Sequence, residues 1–311
     1  MQISHQFMDV KDYEVKLTVK DNSNTPCDAG EATALVKINR APQADAGKDM
    51  TICPGETANF DGTRSYIDPK ANVVSRWFFG DGQTAEGLKT DHIYAKPGKF
   101  QASLSLEEKV NTMCPASRAT INVNVNSQPS VQLKSEDMVC LGNKVTFDAS
   151  AAADPDGDEL EYYWSFGDGT ILKDGPKITH EYNHGGEYRV TVVVDDKKGS
   201  NCSTATATKI VRVNTPPIAD AGPNLTCCVE KEAEFNAKNS SDPDGDTLTY
   251  IWDFGDGTKA DGAVARHEYA KGGNYNVTLT VDDNKGTACS RATAGFVASA
   301  NASPVPVMTV R

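Results

Sequence analysis

Two short acidic runs hold the most concentrated chemistry in the chain. Asp154-Pro155-Asp156-Gly157-Asp158 and Asp242-Pro243-Asp244-Gly245-Asp246 each place three carboxylates within five residues, with Pro and Gly between them to bend the backbone. A hard cation such as Ca²⁺ takes six to eight oxygen ligands, and three convergent carboxylates supply about half of that set. The expectation is one calcium site from Asp154, Asp156 and Asp158, and a second from Asp242, Asp244 and Asp246. The alternative is a plain turn, because Asp, Pro and Gly are selected by turns for backbone reasons alone. An EF-hand is excluded, since its spacing and terminal Glu are absent.

Catalytic patterns are missing. Four of the five His residues, His5, His92, His180 and His267, stand at one repeated offset. A repeated His is a structural element, whereas a catalytic one is ordinarily unique. No Gly-x-Ser-x-Gly, His-Glu-x-x-His or Cys/His nucleophile pattern occurs. The Phe-Gly-Asp-Gly strings ending at Gly82, Gly169 and Gly257 have no phosphate loop beside them and read as turns, with Asp168 and Asp256 as turn residues. No enzyme activity is expected. The net charge of −12 repels nucleic-acid phosphates and anionic lipid, so neither is an expected partner. No stretch approaches the roughly 20 apolar residues of a membrane span, and no export signal is readable in residues 1–12.

The elements that must position these groups are strands. Tyr13-Val15-Leu17-Val19, Phe100-Ala102-Leu104-Leu106, Tyr188-Val190-Val192-Val194 and Tyr275-Val277-Leu279-Val281 alternate with polar residues, the period of a strand with one buried face. Turn signals such as Pro54-Gly55, Asp81-Gly82, Pro97-Gly98 and Asp156-Gly157 separate short runs rich in Val, Thr and Tyr. Seven or so short strands in under 90 residues predict an all-β chain of immunoglobulin-like sandwich modules. Phe60, Phe147 and Phe235, the three Trp residues Trp77, Trp164 and Trp252, and the alternating rows form the expected core.

These marks recur every 87 to 88 residues. Asn with Pro marks each junction, at Asn39/Pro42, Asn126/Pro129, Asn214/Pro217 and Asn301/Pro304. Residues 1–40 therefore read as the second half of a module. Full modules follow at 41–127, 128–215 and 216–302, and 303–311 reads as the first strand of a further one. The pattern Asp-Pro-Asp-Gly-Asp, Tyr-x-Trp-x-Phe-Gly-Asp-Gly, His-x-Tyr and Gly-x-Tyr-x-Val-Thr, over 154–194 and 242–281, resembles the PKD family. The module at 41–127 departs from it, with Ile67-Asp68-Pro69-Lys70 in place of the acidic run. The resemblance implies secreted or surface-exposed modules that act as spacers, adhesive units or accessory domains of exported hydrolases.

Eight cysteines keep the same register, which argues for disulfides and an oxidising compartment. Cys27, Cys114, Cys202 and Cys289 lie in the hairpin before the last strand. Cys53, Cys140 and Cys227 or Cys228 lie at the end of the first. No CxxC pair or Cys/His cluster supports zinc. In a sandwich of this kind the two positions are at opposite ends of a module, about 35 Å apart for strands of about ten residues. A disulfide needs Cα atoms within about 7 Å, so pairing within a module is disfavoured. The bottom of one module meets the top of the next, which predicts Cys53–Cys202 and Cys140–Cys289. Cys27, Cys114 and Cys228 then need partners elsewhere, and Cys227 is spare.

The expected function is mechanical. Linkers of two to four residues are too short for free swivelling, and disulfides and calcium stiffen such a rod further. A surface stalk, an adhesin shaft or a subunit of an extracellular fibre fits, with neighbouring modules, copies of the chain placed end to end, or an extracellular polymer as partners. The alternative is an accessory ligand-binding or spacer region of a secreted protease or polysaccharide-degrading enzyme. Asn-x-Ser/Thr triplets begin at Asn201, Asn224, Asn239, Asn276 and Asn301 and are open to glycosylation in a host that glycosylates exported proteins.

Overall fold

The computed structural model describes residues 2–21, 25–26, 29–69, 71–109, 116–302 and 308. Cys27 and Cys114 lie outside the described residues, as does the expected strand at 303–311 apart from Met308. Among the described residues all regular structure is strand, and no helix is long and apolar enough to cross a membrane. The chain forms two compact units. One comprises Met1–Gln128, Asp154–Asp158 and Asp196–Ser203, and the other comprises Pro129–Ala153, Glu159–Asp195 and Thr204–Arg311.

The first unit begins with an antiparallel hairpin, β1 (Asp12–Lys20) and β2 (Ala29–Lys37), in register from Asp12 opposite Lys37 to Lys20 opposite Ala29. The sandwich after it is built from β3 (Met50–Ile52), β4 (Thr57–Asp61), β5 (Val73–Phe78), β6 (Thr84–Glu86), β7 (Lys89–Ile93), β8 (Gly98–Glu108) and β9 (Ser117–Val125). One sheet has the order β3-β9-β8-β5-β6, with β3 parallel to β9, and β4 pairs with β7 in the other. Trp77 and Phe60, one from each sheet, meet in the core with Leu104, Leu106 and Val123.

The second unit repeats this plan. Its strands are β10 (Met138–Cys140), β11 (Lys144–Asp148), β12 (Glu161–Ser165), β13 (Ile171–Asp174), β14 (Lys177–Glu181), β15 (Gly186–Asp195) and β16 (Thr204–Asn214). They continue with β17 (Leu225–Cys228), β18 (Ala233–Asn236), β19 (Thr249–Asp253), β20 (Lys259–Asp261), β21 (Val264–His267), β22 (Gly273–Asp282) and β23 (Arg291–Asn301). The orders are β10-β16-β15-β12-β13 with β11-β14, and β17-β23-β22-β19-β20 with β18-β21. Cores form around Phe147, Trp164 and Val192, and around Phe235, Trp252 and Leu279.

The alternating rows of β8, β15 and β22 point inward as their period dictates. The row of β1 does not. Val15, Leu17 and Val19 are 41%, 56% and 60% exposed. The alternation is the same, but among the described residues β1 and β2 form a sheet of two strands only, with no second layer to receive that face. Each turn after the Trp strand needs a glycine. Gly167 has φ +84°, and a Cβ there would lie 2.8 Å from the Arg189 carbonyl oxygen, in a conformation that L side chains rarely adopt.

Trp164 is fully enclosed, and its indole donates to the Gly175 carbonyl at 3.1 Å. Trp164→Ala therefore leaves a cavity and an unpartnered carbonyl. The expected loss is about 3–5 kcal/mol, read as a lower denaturant midpoint in equilibrium unfolding.

Candidate functional site in the junction loops

Two sets of polar side chains recur, one inside the sandwich of every full repeat and one, complete in two of the three, at its end. The inner set joins the Gly-Asp-Gly turn to the His-x-Tyr strand. His92, His180 and His267 Nε2 lie 2.7, 2.7 and 2.8 Å from Oδ2 of Asp81, Asp168 and Asp256. Each imidazole stacks on the Phe before the turn, at 4.1–4.2 Å between centroids for Phe79, Phe166 and Phe254. Tyr94, Tyr182 and Tyr269 donate their hydroxyls to the carbonyls of the same three Phe residues. Burial drives the Tyr94 hydroxyl up to about 12, with the Asp81 charge adding to it. The turn Asp residues are thus more than turn formers. Oδ1 closes the turn by accepting the amide of Gln83, Thr170 or Thr258, while Oδ2 fixes the His. Eleven or twelve residues separate each pair, a distance at which no local motif reveals the contact.

The end set contains the acidic runs. In the first unit, one oxygen each from Asp154, Asp156 and Asp158 lie within 4.8 Å of one another, and in the second unit those of Asp242, Asp244 and Asp246 do the same. Asp154 Oδ1 accepts the amides of Asp156 and Asp158 at 2.8 and 3.3 Å, which folds the run back on itself. Asp242 repeats this with Asp244 and Asp246 at 2.8 and 3.2 Å. Asp156 accepts both the amide and hydroxyl of Ser127, at 2.6 and 2.9 Å, and Asp244 accepts those of Thr215 at 2.6 and 3.0 Å.

The residues before Ser127 and Thr215 complete the site. Asn126 donates Nδ2 to Asp196 Oδ2 at 2.7 Å, and Asn214 donates to Asp283 at 2.7 Å. Both carboxylates are only 2% exposed, and each is also fixed through Oδ1 by the amide of Lys198 or Lys285. A buried carboxylate is tolerated only with such partners. The same pair occurs earlier in the first unit, where Asn39 donates to Glu108 at 2.9 and 3.1 Å. The separations of 69, 70 and 69 residues follow the repeat. These Asn and acid residues were not among the expected ligands. The recurrence of Asn at each junction and of an acid at the end of each long strand was the available signal.

The donor set fits a hard divalent cation. Asp154 Oδ2, Asp242 Oδ2 and the fully enclosed Asn126 Oδ1 are buried with no hydrogen-bond partner among the described residues. Such orphaned oxygens are costly unless something positive meets them. In the first unit the carboxylates of Asp154, Asp158 and Asp196 act on the ammonium of Lys198, 2.8 Å from Asp158 Oδ1. That contact, with Asp196 and Asp154 behind it, raises the Lys198 ammonium above its ordinary value against the opposing pull of desolvation. Lys285 plays the same part at 2.6 Å from Asp246. At 41–127 the turn survives, with the Ala71 amide on the Asp68 carbonyl at 2.9 Å. Only its first position is acidic: Asp68-Pro69-Lys70-Ala71-Asn72 stands in place of the triple-Asp run.

The cysteines lie beside these loops. Cys53 is bonded to Cys202 in the first unit and Cys140 to Cys289 in the second, each with 5.9 Å between Cα atoms. Cys227 and Cys228 are free thiols, Cys228 exposed and Cys227 half-buried.

Residues 39–125, 126–211 and 214–297 each match the sequence model described as the PKD domain. Over 109 residues, 35% of this chain, the sequence is 40% identical to Collagenase ColA of Clostridium perfringens (strain 13 / Type A). Over 241 residues, 68% of this chain, it is 26% identical to human Polycystin-1. These alignments span 9% and 5% of the two relatives. An I-band fragment of titin superimposes with a TM-score of 0.51 over 86% of this chain and 100% of its own, at 11% identity, which shows the tandem immunoglobulin-like fold.

Two outcomes follow. Titration with Ca²⁺ by calorimetry is expected to resolve two sites; Asp154→Ala removes one, while Lys198→Gln, which deletes the competing ammonium, tightens it. Acid is the second probe. For Asp81, Asp168 and Asp256 burial opposes the charge, but turn hydrogen bonds and the His together hold each carboxyl below its usual value. A lowered folded-state value stabilises above the ordinary carboxylate range and is lost as pH falls through the folded one. Asp168→Asn should therefore lower the melting temperature at pH 7 and flatten its decline between pH 5 and pH 3.

Proposed function

Since the chain belongs to the PKD-domain family, we propose that it is a non-catalytic extracellular scaffold, a stalk, adhesin shaft or fibre subunit made of modules fixed at their junctions. The observation that carries this is the repeated clamp: Asn39 on Glu108, Asn126 on Asp196 and Asn214 on Asp283. Modules on a chain swivel by default when little crosses between them. Here a strand-end amide and an acid tie each junction down, and for two of the three, among the described residues, that acid is buried and a disulfide joins them. Calcium in the runs at 154–158 and 242–246 would neutralise the remaining charge and close the same loops. Two long-range disulfides suit an oxidising, extracytoplasmic setting.

A second reading is an accessory region of a secreted protease, favoured by the 40% identity to a stretch of a collagenase. Ligand capture by such a region would use exposed aromatic rings. Trp77, Trp164 and Trp252 are at most 1% exposed, which weighs toward the scaffold.

Electron microscopy of the unreduced protein tests the proposal. Straight particles of constant length are expected with calcium, bending when calcium is chelated and more so when the disulfides are reduced. Flexible strings of beads under all three conditions would overturn it in favour of the accessory region.

A further inference from the structure

The oxygens offered to calcium at 154–158 come from two sides, and a disulfide joins those sides. One side is the end of β9. The Asn126 amide donates to the Ile52 carbonyl at 2.8 Å, and β3 runs parallel to β9, so Asn126 and Ser127 are pinned beside Cys53. The other side is the acidic run with the hairpin between β15 and β16, which carries Asp196 and Cys202. Hydrogen bonds cross from one side to the other: Asn126 Nδ2 donates to Asp196, and the amide and hydroxyl of Ser127 donate to Asp156. The Cys53–Cys202 bond is the covalent crossing.

That bond lies against the ligands themselves. Cys202 Sγ is 3.2 Å from the Asn126 carbonyl oxygen and 3.9 Å from Asn126 Nδ2. Ser200 Oγ touches both groups, 3.3 Å from Cys202 Sγ and 3.3 Å from Asn126 Nδ2. The same carboxamide ends in the enclosed Oδ1 that has no hydrogen-bond partner among the described residues. Glu56 brackets the sulfur pair, accepting the Cys53 amide at 2.9 Å and Asn201 Nδ2 at 3.2 Å. The second unit repeats the plan. Cys140 pairs with Asn214 across β10 and β16, and the Leu141 amide donates to the Asn214 carbonyl at 2.8 Å. Asn214 Nδ2 lies 3.3 Å from Thr287 Oγ1 and 3.7 Å from Cys289 Sγ, and Thr287 Oγ1 lies 3.3 Å from that sulfur.

A calcium ion needs six to eight oxygens, more than the acidic run alone supplies. With the disulfide closed, the carboxamide side is already seated against the run. With it open, the ion must order both sides, and that ordering is subtracted from its binding free energy. We infer that each junction disulfide sets the calcium affinity of the acidic run beside it: Cys53–Cys202 tightens calcium at 154–158, Cys140–Cys289 tightens it at 242–246, and calcium in turn makes each bond harder to reduce. The inference rests on the calcium part of the scaffold reading and names its regulation. Coupling between two sites is reciprocal. A factor of about ten, within the common range for such couplings, is about 30 mV for a two-electron couple. The reductant is a small dithiol. Its thiolate attacks one sulfur, its second thiol closes the reagent's own disulfide, and the two cysteines leave as thiols with the reagent's two protons. Calcium is thereby held in an oxidising compartment and given up in a reducing one.

The native chain, its free thiols alkylated, is titrated with Ca²⁺ by calorimetry before and after treatment with dithiothreitol. Reduction is expected to weaken both sites about tenfold, with the far-UV circular dichroism of the strands unchanged. The paired variant Cys53→Ser with Cys202→Ser weakens only the site that Asp154→Ala removes, and Cys140→Ser with Cys289→Ser weakens only the other. The reciprocal measurement needs no variant. Across dithiothreitol redox buffers, saturating Ca²⁺ moves the midpoint of each disulfide, read by peptide mapping, about 30 mV to more negative potential. Asp154→Ala cancels the shift at Cys53–Cys202 and leaves it at Cys140–Cys289. Equal calcium affinity before and after reduction, with unmoved midpoints, overturns this inference and leaves the calcium sites standing. Loss of the strand signal on reduction overturns it too, since affinity would then follow folding. No calcium uptake in either form overturns the calcium reading and this inference together.

Discussion

A carboxylate shut away from water must be met by donors, and at Asp196 and Asp283 one of those donors comes from the preceding repeat. That requirement sets the design of the junction. The Asn must end its strand within reach of the next hairpin, so no slack is left between the last strand and the acidic run. The next residue, Ser127 or Thr215, is then placed to bond the middle Asp of that run, and the cysteine of the hairpin is brought beside the cysteine of the preceding first strand. Hydrogen bond, loop geometry and covalent bond all depend on one desolvated charge. Gly185 belongs to the same arrangement, since a Cβ there would collide with Asp244 and Thr215.

The interior of each sandwich is organised separately. Trp and Phe fill the space between the sheets, and the His–Asp pair seals the rim on which the Tyr hydroxyl also closes. This assembly recurs nearly unchanged in three repeats, including the one without a triple-Asp run. Core and junction therefore vary independently, as expected if the core maintains the module and the junction serves its connection to others.

The sequence discloses the sandwich because alternation, turn residues and the interval between Trp residues are all local or periodic signals. The row Val15-Leu17-Val19 illustrates their limit: period reports which side chains share a face, not whether anything covers it. The His–Asp contacts and the Asn–acid pairs were not legible, because each joins residues whose types are common in turns and linkers and whose meeting depends on how strands are laid together. The run at 68–72 shows a further limit. Its turn is conserved in geometry, by the Asp68–Ala71 hydrogen bond, although its side chains no longer resemble those of its counterparts.

The two disulfides enclose overlapping stretches of 149 residues each. Under tension a force applied on either side of Cys53 and Cys289 can bypass much of the chain, the shortest covalent route crossing both bonds and only the 62 residues from Cys140 to Cys202. Unravelled sandwiches inside these loops cannot pay out their full length while the bonds persist. Cutting both frees a further 174 residues, roughly 600 Å of extended backbone at 3.3–3.6 Å per residue. The contour length available to a pulled molecule is therefore under redox control, and the oxidised chain acts as a tether with a built-in stop.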